Sequence, residues 1–172
     1  MTLLSLAVRN TLAQDTTLKT LLGKSPSWDT WIFDERPVGV SLEKSSKCWI
    51  VVNEESPWTV SNDHNTMTFP TIVIDIWADP TRNTGGDKSV RSFDAKTKIK
   101  LIEKYVDAHL KTIDMADRYG LPIVWGTAAE IAARTGIVIS ASQKLSGPDF
   151  QPVNDTDGAW MAKYTYGVNQ VS

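Results

Sequence analysis

Two histidines, twenty carboxylates and one cysteine are the side chains in this 172-residue chain that chemistry could use, and their spacing decides which chemistry. The most suggestive run is Asn62–Asp63–His64–Asn65, with Asp75 and Asp79 following it. A histidine with two carboxylates is the material of general acid–base or metal-assisted hydrolysis. A hydrogen-bonded loop that fixes the entry to the next strand explains the same residues more simply. His109 falls beside the apolar stripe of a helix, between Asp107 and Lys111, where a boundary residue is expected. Gly85–Gly86–Asp87–Lys88–Ser89 looks like the end of a phosphate-binding loop, but the glycine five positions before Gly86 is missing. Asp87 stands where the lysine must follow, and an acid there repels phosphate. Gly120 and Gly126 lack the dinucleotide spacing, and there is no Gly-x-Ser-x-Gly elbow. No cofactor, metal or catalytic residue is expected.

The remaining features bound the function further. Asp75 sits in the apolar run Thr71–Ala78 and must be hydrogen-bonded, paired or turned to water. An arginine partner, Arg36 or Arg82, is the expectation. Cys48 lies in the run Cys48–Trp49–Ile50–Val51–Val52, where it reads as a small buried hydrophobe; alone, it excludes an intrachain disulfide. The net charge is −2 with acids and bases interspersed, so the chain has no footprint for gripping phosphate backbones. The start, Met1 to Arg9, lacks a basic n-region, and no segment approaches the ~18 apolar residues of a membrane span. A soluble protein made in a cytoplasm is expected. Seven Trp are the one compositional excess; such side chains serve interfaces and monomer cores alike.

These residues must be positioned by a single domain over 1–172, the size of one compact unit with its own core. A first amphipathic helix is predicted from Thr2 to about Gln14, with Leu4, Ala7, Val8, Thr11 and Leu12 at helical spacing. A second turn carries Leu18, Leu21 and Leu22 and closes at Gly23. Strands are predicted at 30–33, 47–53 and 71–78, the last with apolar bulk on both faces and therefore central. A polar loop joins the last two from Asn53 to Asn65, and another spans 79–91. Ser92 is the predicted N-cap of a long helix to Arg118, whose Ile99, Ile102, Val106, Leu110 and Ile113 form one apolar stripe. Gly120 stops it. Shorter strands follow at 122–125, 136–140 and 160–168, with one helical turn or more between Thr127 and Arg134. Strands without intervening helices favour antiparallel pairing. The class is α+β, a mostly antiparallel sheet with an N-terminal helix and one long amphipathic helix packed on one side.

Between Asp29 and Arg82 the residues carry a resemblance. Asp29–Thr30–Trp31–Ile32–Phe33 with Arg36–Pro37, Trp58, Asn62-x-His64–Asn65–Thr66, Phe69–Pro70, and Val73-x-Asp75–Ile76–Trp77–Ala78–Asp79–Pro80–Thr81–Arg82 resemble the tail terminators of long-tailed bacteriophages, particularly those of actinobacterial hosts. The long helix and the closing Tyr164–Thr165–Tyr166–Gly167–Val168 strand are similar too. The Trp125–Arg134 stretch and the Gly85–Gly86 loop depart from that pattern. The resemblance implies a non-enzymatic virion protein: a homohexameric ring that caps the tail tube, stops its polymerisation and offers a surface to the head. Its partners would be itself, the tail tube protein and a head–tail connector protein, with DNA only passing through. Exposed loop positions are the expected contacts: Asp79, Arg82, Asp87 and Lys88, with Trp58 and His64. Another head–tail joining component is the alternative within that class. A small hydrolase or ligand-binding domain using His64, Asp75 and Asp79 is the alternative outside it.

Overall fold

The computed structural model describes residues 3–25, 29–39, 42, 48–61, 66–79, 88–111, 121–153 and 158–171, with the backbone alone for 3, 56, 58, 60, 66–68 and 88–91. Helices α1 (Leu3–Leu12) and α2 (Thr16–Leu22) open the chain. Asp15 caps α2, its side chain accepting from the Leu18 backbone N–H at 2.9 Å. Gly23, at φ 87°, closes α2 as the sequence predicts. Strands β1 (Ile32–Phe33), β2 (Cys48–Ser61) and β3 (Thr66–Ala78) follow, then the long helix α3 (Lys88–Leu110). Strand β4 (Ile123–Trp125), helix α4 (Ala128–Ala133) and strands β5 (Ile137–Pro152) and β6 (Trp160–Gln170) complete the described elements.

The strands form one curled sheet in the order β1-β2-β3-β6-β5-β4. All its pairings are antiparallel except β1 with β2, which is parallel. The α+β class and the placing of helices against a mostly antiparallel sheet are as predicted. Strand β3 lies between β2 and β6, and from Thr71 to Ala78 every residue but Asp75 is buried. Helix α3 packs on β3 and β6. Its Ile99, Ile102, Val106 and Leu110 are fully buried, each contributing about 1.5–3 kcal/mol of apolar burial. They meet Ile72, Ile74 and Ile76 of β3 and Ala162, Tyr164 and Tyr166 of β6 in a common core. Cys48 is buried there as well.

Four boundaries differ from the sequence reading. The polar loop of 53–65 is largely strand: β2 runs on to Ser61 and β3 begins at Thr66, paired from Trp58↔Phe69 to Ser61↔Thr66. Helix α3 starts at Lys88, so Ser92 lies inside it and is not its N-cap. The predicted strand of 136–140 extends as far as Pro152. In the 127–134 segment, Thr127 and Glu130 form a capping box: the Glu130 N–H donates to Thr127 Oγ1 and the Thr127 N–H to Glu130 Oε2. Gly136 follows, where a Cβ would lie 2.3 Å from the Trp125 carbonyl oxygen; only glycine allows β5 to start that close to β4.

Candidate functional site

The densest meeting of ionisable groups is where α3 lies across β5 and β6. Glu103 and Asp107, one turn apart beside the apolar stripe of α3, both point at Lys144 of β5. The Lys144 ammonium donates to Glu103 and, at 2.8 Å, to Asp107 Oδ2. The Tyr166 hydroxyl donates to the other oxygen of Asp107 at 2.5 Å. Tyr164 and Tyr166 also lie beneath the ammonium, with ring centroids 5.0 and 5.8 Å away. Burial alone would lower the lysine's pKa, but the hydrogen bonds to Asp107 and Glu103 prevail and raise it. Burial, with the two acids adding, pushes both tyrosine hydroxyls far above their usual range. Each shift holds its group in the form it already has at neutral pH. A lysine poised as nucleophile or base needs the opposite shift. The cluster is built as a tie between helix and sheet.

A second polar group occupies the opposite face of the sheet. Asp75 accepts from Asn53 Nδ2 at 3.0 Å and lies across from Lys163, which is paired with Glu55. Among the described residues the cation facing Asp75 is Lys163 and not Arg36, which lies over the Trp49 ring at 5.3 Å; Arg82, the other expected partner, lies outside the described residues. Trp49 in turn stacks on Trp77, centroids 5.8 Å apart. Burial raises the Asp75 pKa above its ordinary 3.8, and Lys163 only partly offsets it. A carboxyl whose folded pKa is raised costs stability wherever it must ionise, so the penalty is absent below pH 3.8 and grows as pH rises through the folded pKa. Asp75→Asn, which keeps the acceptor for Asn53, should therefore melt no lower than the parent at neutral pH. Any advantage should fade on titration below pH 3.8. A variant much less stable at pH 7 would show that the charge itself is needed.

The third arrangement is a cleft of about 240 Å³ bordered by Thr11, Gln14, His109, Val124, Trp125 and Ile131. Its polar groups are engaged in holding the fold. Thr11 Oγ1 accepts from the Gly126 N–H at 3.0 Å, and Gln14 Nε2 donates to the Gly126 carbonyl at 2.7 Å. His109 Nε2 lies 2.9 Å from Asp15 Oδ2, joining α3 to the cap of α2. Burial opposes ionisation of Asp15, but the Leu18 N–H, His109 and the Thr17 N–H together lower its pKa. His109 is a boundary residue as read from sequence, with a structural partner the sequence did not disclose.

No protein-family profile matches the chain, and no curated protein does. Of the sequence-predicted contact residues that are described, Trp58 and Asp79 lie toward opposite ends of the β2–β3 pairing. Asp79 is 2% exposed at the end of the central strand, so its expectation as an exposed interface charge is overturned. Trp58 stands in β2 opposite Phe69. Lys88 is the first residue of α3. His64, Arg82 and Asp87 lie outside the described residues. Asp75 and Asp79 are four positions apart along a strand direction, a separation of about 13 Å that keeps two carboxylates from sharing one small reacting group. That spacing weighs against the hydrolytic alternative. Among the described residues no group of three or more His, Cys, Asp or Glu is placed to hold a metal, and no helix is long and apolar enough to cross a membrane. Sequence reasoning missed Lys144 and Lys163. The available signal was Glu103 and Asp107, two acids four apart bordering an apolar stripe, which ask for a cation from the sheet below.

Proposed function

We propose that this chain is a structural virion protein, the tail terminator of a long-tailed bacteriophage, working by protein–protein contact as a homohexameric ring. The observation that carries the reading is the β2–β3 arm. Pairing between β3 and β6 ends at Thr71↔Gly167, whereas β2 and β3 stay paired to Ser61↔Thr66. The hairpin therefore runs on beyond its pairing with β6, which itself continues to Gln170 beside β5, as a two-stranded ribbon of about 20 Å. An isolated two-stranded ribbon is marginal in water and gains its stability from a surface it meets. Such a projection suits a subunit that must touch ring neighbours, the tail tube protein and a head–tail connector.

Among the described residues, those that carry the resemblance lie in neighbouring strands. Trp31, Ile32 and Phe33 form or flank β1, Trp58 and Phe69 are backbone register partners on the arm, and Val73 to Asp79 form and end the central strand. β1, β2 and β3 are neighbours in the sheet, so the stretch constitutes one half of it together with its projection. A resemblance concentrated in one structural unit is better support than one scattered over the surface.

The test is genetic and visual. Antibody against the chain, gold-labelled on particles, is expected at the head–tail junction. Loss of the chain is expected to give overlong tails without heads. Normal-length tails unattached to heads would assign it instead to another head–tail joining component. Label at the distal tip, or none on accessible particles, would remove it from the neck altogether.

A further inference from the structure

The charges of this chain are segregated in a way its net value hides. Residues 88–111 hold seven lysines and arginines against three acids, a net +4, so the rest of a chain of net charge −2 carries −6. Two of those three acids, Glu103 and Asp107, are turned inward onto Lys144. The side of α3 that faces away from the sheet is left with Lys100, Lys104 and Lys111, all exposed, beside Phe93 at 70% and Leu101 at 41% exposure. None of these lysines pairs with an acid among the described residues. Lysines around two bare apolar side chains have the composition of an interface with an acidic surface.

The opposite face of the sheet supplies such a surface. Lys163 on β6 lies directly between Asp75 of β3 and Asp149 of β5, with Glu55 of β2 paired to it. Three acids thus surround one lysine, and Glu55 and Asp149 are exposed. The alternation of the strands puts these residues on the face away from α3, since their neighbours Ile74, Ala162 and Phe150 point to the helix side.

We infer that the outer face of α3 docks onto the Glu55–Asp75–Asp149 face of a second copy of this chain. The contact is head-to-tail: a two-fold dimer through either face would set like charges against each other. Phe93 and Leu101 supply the apolar centre, and the lysines set register and orientation. Head-to-tail contact stands on the charges alone; its closure into a ring rests on the function proposed above.

The purified full-length chain is examined by sedimentation-velocity ultracentrifugation over a range of concentrations at low and high salt, with two double variants. Lys100→Glu with Lys104→Glu reverses the helix face, and Glu55→Lys with Asp149→Lys reverses the sheet face. All four positions are exposed, and thermal melts check that each variant keeps the fold. The parent is expected to assemble at low salt and dissociate as salt screens the contact. Each double variant alone is expected to lose at least about tenfold in association. Mixing the two restores assembly, because each presents the complement of the other. A parent that is monomeric at every concentration and salt, variants that assemble like the parent, or a mixture that fails to recover would each overturn the contact. The particle label is read separately. Assembly by these rules with label away from the neck would refute the terminator while leaving the contact. Label at the neck with unimpaired variants would do the reverse.

Discussion

Ile74→Ala should lower the stability of this protein by about 3–5 kcal/mol and its melting temperature by roughly 10 °C. Ile74 is fully buried at the middle of β3, with Val52 opposite it on one side and Tyr164 on the other. Above it the same core holds Ile99, Ile102 and Val106 of α3. Neighbours fixed in paired strands on both sides and a helix above cannot collapse into the space left by the lost carbons. The cavity cost therefore adds to the transfer cost. Ile74→Val, which removes one methylene, should cost only about 0.5–1.5 kcal/mol. Denaturant melts of both variants check the gradient. Two equal and small losses would mean that β3 is not the rigid centre of the core.

Ile74 was also among the residues whose role was legible in the sequence. Both faces of Thr71–Ala78 carry apolar bulk, and only a strand covered on both sides and flanked on both edges can bury that. The stripe of α3 was legible for the same reason: Ile99, Ile102, Val106 and Leu110 repeat with the helical period because a sheet lies under them. Legibility failed wherever an element leaves the core. Phe93, early in α3, is 70% exposed, so Ser92 reads as a cap although the helix begins at Lys88. Among the described residues no third strand pairs with the β2–β3 arm, so nothing demands alternation there and Asn53–Asn65 reads as a loop. The outer half of β5, with Gln143, Ser146, Gly147 and Pro148, is exposed and carries several register shifts. The strand predicted from sequence accordingly stops at 140.

The candidate site was less legible than the fold, because polar contacts at long sequence separation leave no periodic trace. Asp79 reads from the sequence as an exposed loop charge because Pro80 follows it, but at the end of the central strand it is buried. Asp75 was correctly recognised as a carboxylate needing a partner. The partner itself, Lys163, is 88 positions away and is brought opposite by the pairing of β3 with β6. Charge counts over the whole chain concealed the most useful pattern, the separation of a basic helix from an acidic remainder. Lys144 sharpens it by occupying two of the helix's three acids.

Asp107→Ala tests how much that occupation matters, and a loss on the order of 3 kcal/mol is expected. The carboxylate serves two groups at once: Lys144, whose side chain is 14% exposed, and the fully buried Tyr166 hydroxyl. Removing it leaves the tyrosine O–H without its acceptor and the ammonium with Glu103 alone. Tyr166→Phe removes the donor and leaves the Lys144–Asp107 pair in place, so it should cost only about 1 kcal/mol. If the two changes are combined, the total should fall short of their sum, because they delete a shared interaction. The effect also has a pH signature. Lys144 has a raised pKa, so its contribution is fully present below 10.5 and is lost as pH climbs through the folded value. Tyr164 and Tyr166 are likewise raised from 10.0 by burial, so unfolding lets them ionise in alkali and favours the unfolded chain there. Both terms act in the same direction. The parent protein should lose stability steeply above pH 10, and Asp107→Ala should differ from it less as that loss proceeds. Equal melting curves for parent and variant at pH 7 would mean that α3 is held to the sheet by its apolar stripe alone.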